Sequence, residues 1–430
     1  MGSTRITLSA VAGGLLAAGQ AHAVQVDYVL DAGVEHDDNV LLLPENPVSE
    51  TFARAGLGFL VRQASSAIQA NVSGRMDFRD YQGNTYTDSV EGALSGRMNW
   101  VAIPERLSFT VEDQLEQQAI DRFSPDSPNN RQQVNVFSAG PNLFFGLGRS
   151  LQGLLEMRYI DTDAEVTDEF NSSRYGAALR VTKQFTSGSR LSLNGQWQDV
   201  DFDDDLLARD YKRVDAFARY ERTYARLGLS IDAGYSQIDY NTGGSRSNPL
   251  LRGKLDWQAG ARSRFSLVAV DQFSDAAAGV NEAGTANTIP YSVLVNSTSL
   301  ESSAYHERRY SLSYAYTGTL LSLEFQPYFQ RLDYLDAPTP DQESSGAVLS
   351  LEYRMAGNLL LGVRTDVSRI DYALSDRSEE SRRYGVNLEK RWSRHWSTSL
   401  AYFRYERDSS LQGEDVRQNV WYASIRYRNR

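Results

Sequence analysis

Cysteine is absent from all 430 residues, which removes disulfide frameworks, thiolate metal centres and a lipidated cysteine behind a leader. Histidine is nearly absent too: four in the whole chain, with no His-x-x-x-His pair for a metal. No serine stands in a Gly-x-Ser-x-Gly elbow, and the acidic runs Asp37-Asp38, Asp161 to Asp168 and Asp201 to Asp205 lack the spacing of a calcium loop. The chemistry of an enzyme therefore has little to work with, and neither a metal nor a cofactor is expected. A net charge of -11 at pH 7 argues against nucleic acid, which requires a clustered basic surface. Beyond residues 6–19 no run of about 18 apolar residues offers a membrane helix.

What is present is alternation. From Ile68 to Trp100 the chain reads as one complete hairpin: Ile68, Ala70, Val72, Gly74, Met76 and Phe78 share one parity, and Gln69, Asn71, Ser73, Arg75, Asp77 and Arg79 share the other. The pattern returns as Val90, Gly92, Leu94, Met98 and Trp100 against Ser89, Glu91, Ser95, Arg97 and Asn99. Apolar faces of about ten residues that end in aromatics suit a tilted strand crossing a hydrocarbon slab. The opposite face is too charged for a protein core and is expected to face water.

The first 23 residues read as a secretory leader, with Arg5, an apolar segment from Ile6 to Gly19 and the small-x-small site Ala21-His22-Ala23. Residues 24–430 read as one domain of repeated hairpins, about 40 residues each. The fold expected is all-β: a transmembrane antiparallel up-and-down β-barrel of about 20 strands, with 18 as the alternative count. Connections alternate between tight, as at Ala64-Ser65, Ile103 to Glu105, Ser187-Gly188, Thr317-Gly318 and Ala356 to Asn358, and long, at about ten residues or more. The longest runs from Ser274 to Ser302, and Asn241 to Asn248 is expected as another. Short periplasmic turns opposed to longer outer loops have this asymmetry. The segment from Val134 to Phe145 is the least clearly phased of its half. A soluble sandwich or propeller also alternates, but needs no apolar faces of matched length with aromatics at both levels.

Membrane-interface anchors are expected at Trp100, Trp257, Trp392 and Trp396 beside tight turns and at Tyr175, Tyr310 and Tyr384 in Arg-Tyr-Gly/Ser repeats, with Phe78, Tyr86, Tyr159 and Tyr235 near the long loops. Inward parity collects Arg75, Arg97, Arg158, Arg180, Arg213, Arg219, Arg252, Lys254, Arg309, Arg354, Arg364, Arg383 and Arg391, interleaved with Glu112, Glu156, Asp215, Asp232, Asp256, Glu324, Glu352, Asp366 and Glu389. Cross-strand pairing would neutralise most of that wall; arginines left over would offer guanidinium forks to carboxylates or sugar hydroxyls in transit. Phe137, Phe217, Tyr328, Phe403 and Tyr422 are read as inward rings on which sugars could stack or which simply fill space. A lone histidine, His306, with Ser303 or Ser311 is the one conceivable catalytic pairing, and an interface histidine is its plainer reading.

The segment Gly33-Val34-Glu35-His36-Asp37-Asp38-Asn39-Val40, with Leu42 and Pro44, resembles the opening of outer-membrane β-barrel porins associated with exopolysaccharide and capsule biosynthesis. His36 stands where that family commonly has an aromatic; the strand ending Phe78-Arg79-Asp80-Tyr81 is similar as well. The resemblance implies a Gram-negative outer-membrane channel for polysaccharide export, fed by a periplasmic or inner-membrane machinery, and it implies no catalytic residues. Outer-membrane lipid and lipopolysaccharide are the other partners expected. A general diffusion porin, with Ser274 to Ser302 as its constriction loop, is the alternative; an outer-membrane enzyme or adhesion barrel is a third.

Overall fold

A computed structural model describes residues 24–430 except 84, 122, 126, 149, 187, 205–208, 278–294, 297–302, 337–339 and 374–376. The expected leader over residues 1–23 lies outside the described residues.

The strands are β1 (Gln25–Asp37), β2 (Glu50–Ala64), β3 (Ile68–Asp80), β4 (Ser89–Ile103), β5 (Leu107–Ala119), β6 (Arg131–Gly146), β7 (Leu151–Ala164), β8 (Ser172–Thr186), β9 (Ser189–Phe202), β10 (Tyr211–Thr223), β11 (Leu227–Tyr240), β12 (Ser245–Gln258), β13 (Ser263–Ser274), the two-residue β14 (Val295–Asn296), β15 (Tyr305–Thr317), β16 (Leu321–Tyr334), β17 (Gln342–Ala356), β18 (Leu359–Tyr372), β19 (Ser378–Arg391), β20 (Trp396–Ser409) and β21 (Val416–Arg428). Each long strand runs antiparallel to its neighbours in sequence, β13 pairs directly with β15, and β1 pairs with β21. The sheet thus closes as a barrel of 20 staves, as expected, with no exposed edge.

The staves are 12 to 16 residues long, longer than the ten or so that the apolar faces suggested. The excess lies at the loop end, where the strands continue past the hydrocarbon. Several loops expected to be long are correspondingly short: β12 begins at Ser245, so the connection expected over Asn241 to Asn248 is only 241–244. At the other end all nine turns have two to four residues.

Outward residues form an apolar band: Leu30, Val34, Met76, Leu193, Ile231, Leu267, Leu400 and Ile425 are all exposed. Near the tight turns the rings meet across strands, Trp100 stacked on Phe109, Trp257 on Phe265, and Trp396 edge-on to Tyr427. Toward the loops Tyr159 meets Tyr175 and Tyr402 meets Trp421. All seven expected anchors, Trp100, Tyr175, Trp257, Tyr310, Tyr384, Trp392 and Trp396, are exposed on this outer face. Tyr86 is not part of that belt. It lies before β4, buried with Val40, Phe52 and Tyr81, and donates to the Val40 carbonyl at 3.3 Å; burial pushes the Tyr81 and Tyr86 phenols above the usual tyrosine range.

The opening motif sits on the seam between β1 and β21. Asp37 accepts from the Asn39 amide at 2.9 Å and from Gln418 at 2.6 Å; Asp38 accepts from the Asn419 backbone and side chain at 2.6 and 2.7 Å. Asn39 in turn donates to the carbonyls of Leu43 and Arg417. Gly33 faces Ser424 across the same seam, and a Cβ there would stand 2.2 Å from the Ala423 carbonyl oxygen, so only glycine lets the first and last strands approach. At the far end Asn429 takes over, accepting from the Tyr28 amide at 2.7 Å and donating to the Val26 carbonyl at 2.8 Å.

Candidate functional site: the bore and its mouth

Every charged residue assigned inward by parity lies opposite the exposed apolar set of its strand. Four of the pairs are cross-strand, as expected: Arg97 with Glu112 at 3.2 Å, Arg180 with Glu156 at 3.8 Å, and Arg219 and Arg252 with Asp232 at 2.7 and 3.7 Å. The others join residues two apart on one strand, where side chains share a face: Arg158 with Glu156 at 3.3 Å, Arg213 with Asp215 at 2.9 Å and Lys254 with Asp256 at 3.5 Å. Arg309 meets Glu307 and Arg391 meets Glu389, each at 3.3 Å. Phe217 is buried between the guanidiniums of Arg219 and Arg252. Phe137 is not inward: its β6 neighbours Val134, Val136 and Ser138 are buried inside while Leu143 and Phe145, of its own parity, are exposed outside. The weak phasing of β6 has the same origin. Its inward positions near the mouth are apolar because a loop lies on them, so both faces read as hydrophobic.

On β1 to β3 and β21 the wall is locked. Arg75, 2% exposed, binds Asp31 at 2.9 Å and Asp77 at 2.6 Å; Arg54 binds Glu35 and Asp77, each at 3.0 Å; and the Tyr422 hydroxyl donates to Asp31 at 3.0 Å. On β16 to β20 it is open. One inward row runs through Glu324, Ser350, Arg364, Gly385 and Phe403. Arg364 is exposed and donates to the Ser350 hydroxyl at 3.2 Å; Phe403 is 46% exposed on the water side. Gly385 lies between them, where a Cβ would come within 3.0 Å of the Phe403 ring. In the adjoining row Arg383 stands over the Tyr405 ring, 5.1 Å from its centroid. Glu324, Glu352 and Arg354 form no ion pair among the described residues and are exposed.

Two loops leave the wall and cross the mouth. After β13, Asp275 reaches Arg174 on β8 at 2.7 Å and the Tyr211 hydroxyl on β10 at 3.0 Å, all three buried. Ala277 then lies on Val134, Val136, Ala164 and Phe170, and β14 pairs in parallel with Gln117 and Gln118 of β5. The chain returns at Ala304, packed with Val200, Phe202, Tyr211, Ile238, Tyr240 and Phe273. The rest of the expected constriction segment falls outside the described residues. The β5–β6 loop crosses the other way: its Phe123 meets Tyr372, Arg377 and Arg407 at the ends of β18 to β20.

A closed 20-stave barrel with a lipid-facing apolar band, two aromatic belts and a charged interior has one environment. The chain is a Gram-negative outer-membrane β-barrel channel. No family model and no curated protein matches it. Among solved structures it is similar to the ferric enterobactin receptor PfeA from Pseudomonas aeruginosa (11% identity, TM-score 0.47, 95% of this chain and 81% of that one). It is similar also to the FrpB iron transporter from Neisseria meningitidis (9%, 0.47, 94% and 81%) and the siderophore receptor PirA from Acinetobacter baumannii (9%, 0.47, 95% and 81%). At those identities and scores nothing about cargo follows from the likeness.

The histidines make local contacts. His306 sits between Asp271 at 2.6 Å and Asn248 at 2.8 Å, while the Ser303 hydroxyl donates to the Ala304 carbonyl. His36 bonds Thr51 and His395 the Arg428 carbonyl. Parity alone could have added Arg54 and Arg407 to the inward set; the arginine of the Arg174-Tyr175-Gly176 repeat is expected at the channel mouth, and Arg174 is buried there against Asp275. Phe123 and Asp275 lie in loops, where alternation carries no signal.

Proposed function

We propose that the barrel is a channel for a polysaccharide leaving the cell, and that it is not an enzyme. The observation that carries this is the open row on β16 to β20: an aromatic ring half bared to water, leaning over a glycine on the strand between it and an exposed guanidinium. A ring face in water is costly to leave uncovered, and a pyranose covers it while Arg364 takes a hydroxyl or carboxylate. Two strand spacings, roughly 10 Å, separate Phe403 from Arg364, which is the reach of adjoining sugar units. The exposed inward charges, Glu324, Glu352, Arg354 and Arg364 among them, would line the path, and outer-membrane lipopolysaccharide and an export machinery on the periplasmic side are its proposed partners. The resemblance of the opening segment to polysaccharide-associated barrels agrees with this reading.

Planar-bilayer conductance of the purified protein tests it. Oligosaccharides added to the bath should block the current, and Phe403→Ala should weaken that block about fivefold, in line with about 1 kcal/mol for lost ring contact. Conductance indifferent to sugars would defeat the proposal. A second reading, a diffusion porin for small solutes, is favoured by one feature, the loop root bent into the mouth by Arg174 and Asp275; small neutral sugars passing freely while long chains neither enter nor block would support it.

A further inference from the structure

The β5–β6 loop is braced internally. Asn130 donates to the carbonyls of Asp121, Ser124 and Pro125 at 2.8, 3.2 and 3.0 Å and accepts from the Asp121 amide at 2.8 Å, while Asp121 takes the Phe123 amide and the Ser124 hydroxyl. These bonds tie the described residues of the loop to one another. Its grip on the opposite wall is Phe123. The carbonyl oxygen of Phe123 accepts from Arg377 Nη2 at 2.9 Å and from Arg407 Nη2 at 2.7 Å, and its ring lies 4.5 Å beneath the Arg377 guanidinium and 5.0 Å from Tyr372.

Two guanidiniums converging on one neutral amide oxygen, next to a tyrosine face, constitute a recognition site already filled by the protein's own chain. Glu379 binds both arginines at 2.8 Å and Glu414 binds Arg377 at 2.7 Å. Two positive and two negative groups leave the niche electrically balanced, so an arriving carboxylate would add a charge with no counterpart, whereas a second amide oxygen would not. Arg407 is 3% exposed at its side chain, and its Nη1 is buried without a hydrogen-bond partner, a donor left over for a hydroxyl beside that amide.

We infer that this niche binds the acetamido group of an N-acetylated amino sugar, and that such a sugar displaces Phe123 and unlatches the β5–β6 loop. The acetamido carbonyl is the same secondary amide oxygen that Phe123 supplies, and the sugar ring takes the place of the phenyl ring against Arg377 and Tyr372. The inference rests on the polysaccharide-channel reading and sharpens its cargo.

Current block in planar bilayers tests it with hexamers of N-acetylglucosamine, glucose and galacturonate, each added on the loop side. Phe123→Gly removes the ring and loosens the internal ligand, so block by the N-acetylated hexamer should become about tenfold tighter while the other two change little. Adding Arg377→Gln to that variant should cancel the gain. Weaker or unchanged block by the N-acetylated hexamer in Phe123→Gly overturns the inference, as does an equal gain for all three sugars; in either case the channel reading stands if any of them still blocks. Failure of all three to block both wild type and variant overturns the channel reading, and the inference with it.

Discussion

The two walls of the bore obey one sequence rule and end in opposite states. On β1 to β3 and β21 the inward charges close into one network, Arg54 with Glu35 and Asp77 and Arg75 with Asp31 and Asp77, and Arg54, Arg75, Asp31 and Asp77 withdraw from water. On β16 to β20 one inward row sets Glu324 and Arg364 against serine and glycine, and Glu324, Arg354, Arg364 and Phe403 stay exposed. Alternation decides which face a side chain takes; the charges within reach along and across the strands decide whether it is used up there or remains available.

Breaking the locked wall should give the largest effect. Arg75→Gln leaves buried Asp31 with the Tyr422 hydroxyl in place of its guanidinium and Asp77 with Arg54 alone, and should cost about 3 kcal/mol, read as a lower temperature for loss of the compact folded band in detergent electrophoresis. Arg364→Gln on the open wall should leave that temperature unchanged, and a drop of similar size there would erase the distinction. Gly33→Ala tests the seam that frames the locked wall: its Cβ meets backbone, which cannot give way cheaply, so a loss of about 1 to 3 kcal/mol is expected by the same measurement. Smallest should be Arg97→Gln. Its pair with Glu112 is 67% and 37% exposed, and a change of about 0 to 1 kcal/mol, shrinking further with added salt, is what a solvated pair gives.

The stave count and the closed sheet were legible because a period of two is written in nearly every strand. β6 was not, since Val134 and Val136 answer to Ala277, a residue more than a hundred positions away. Tyr86 read as a belt aromatic from its spacing alone, yet a loop claims it. The mouth was illegible for the same reason: Phe123 and Arg407, or Asp275 and Arg174, are neighbours only after the barrel closes. Asp37-Asp38-Asn39 was legible as a motif but not as a clasp. Its bonds go to Arg417, Gln418 and Asn419, so the stretch that carried the likeness to polysaccharide-associated barrels speaks about closure of the cylinder and leaves the cargo to other residues.

The seam has a mechanical consequence. Side chains bolt the first stave to the last at both rims, by Asp37, Asp38 and Asn39 above and by Asn429 below, and between them Gly33 lets the two backbones lie flush. A cylinder riveted along that line resists parting where the chain's two ends meet, the one seam that no hairpin turn holds shut.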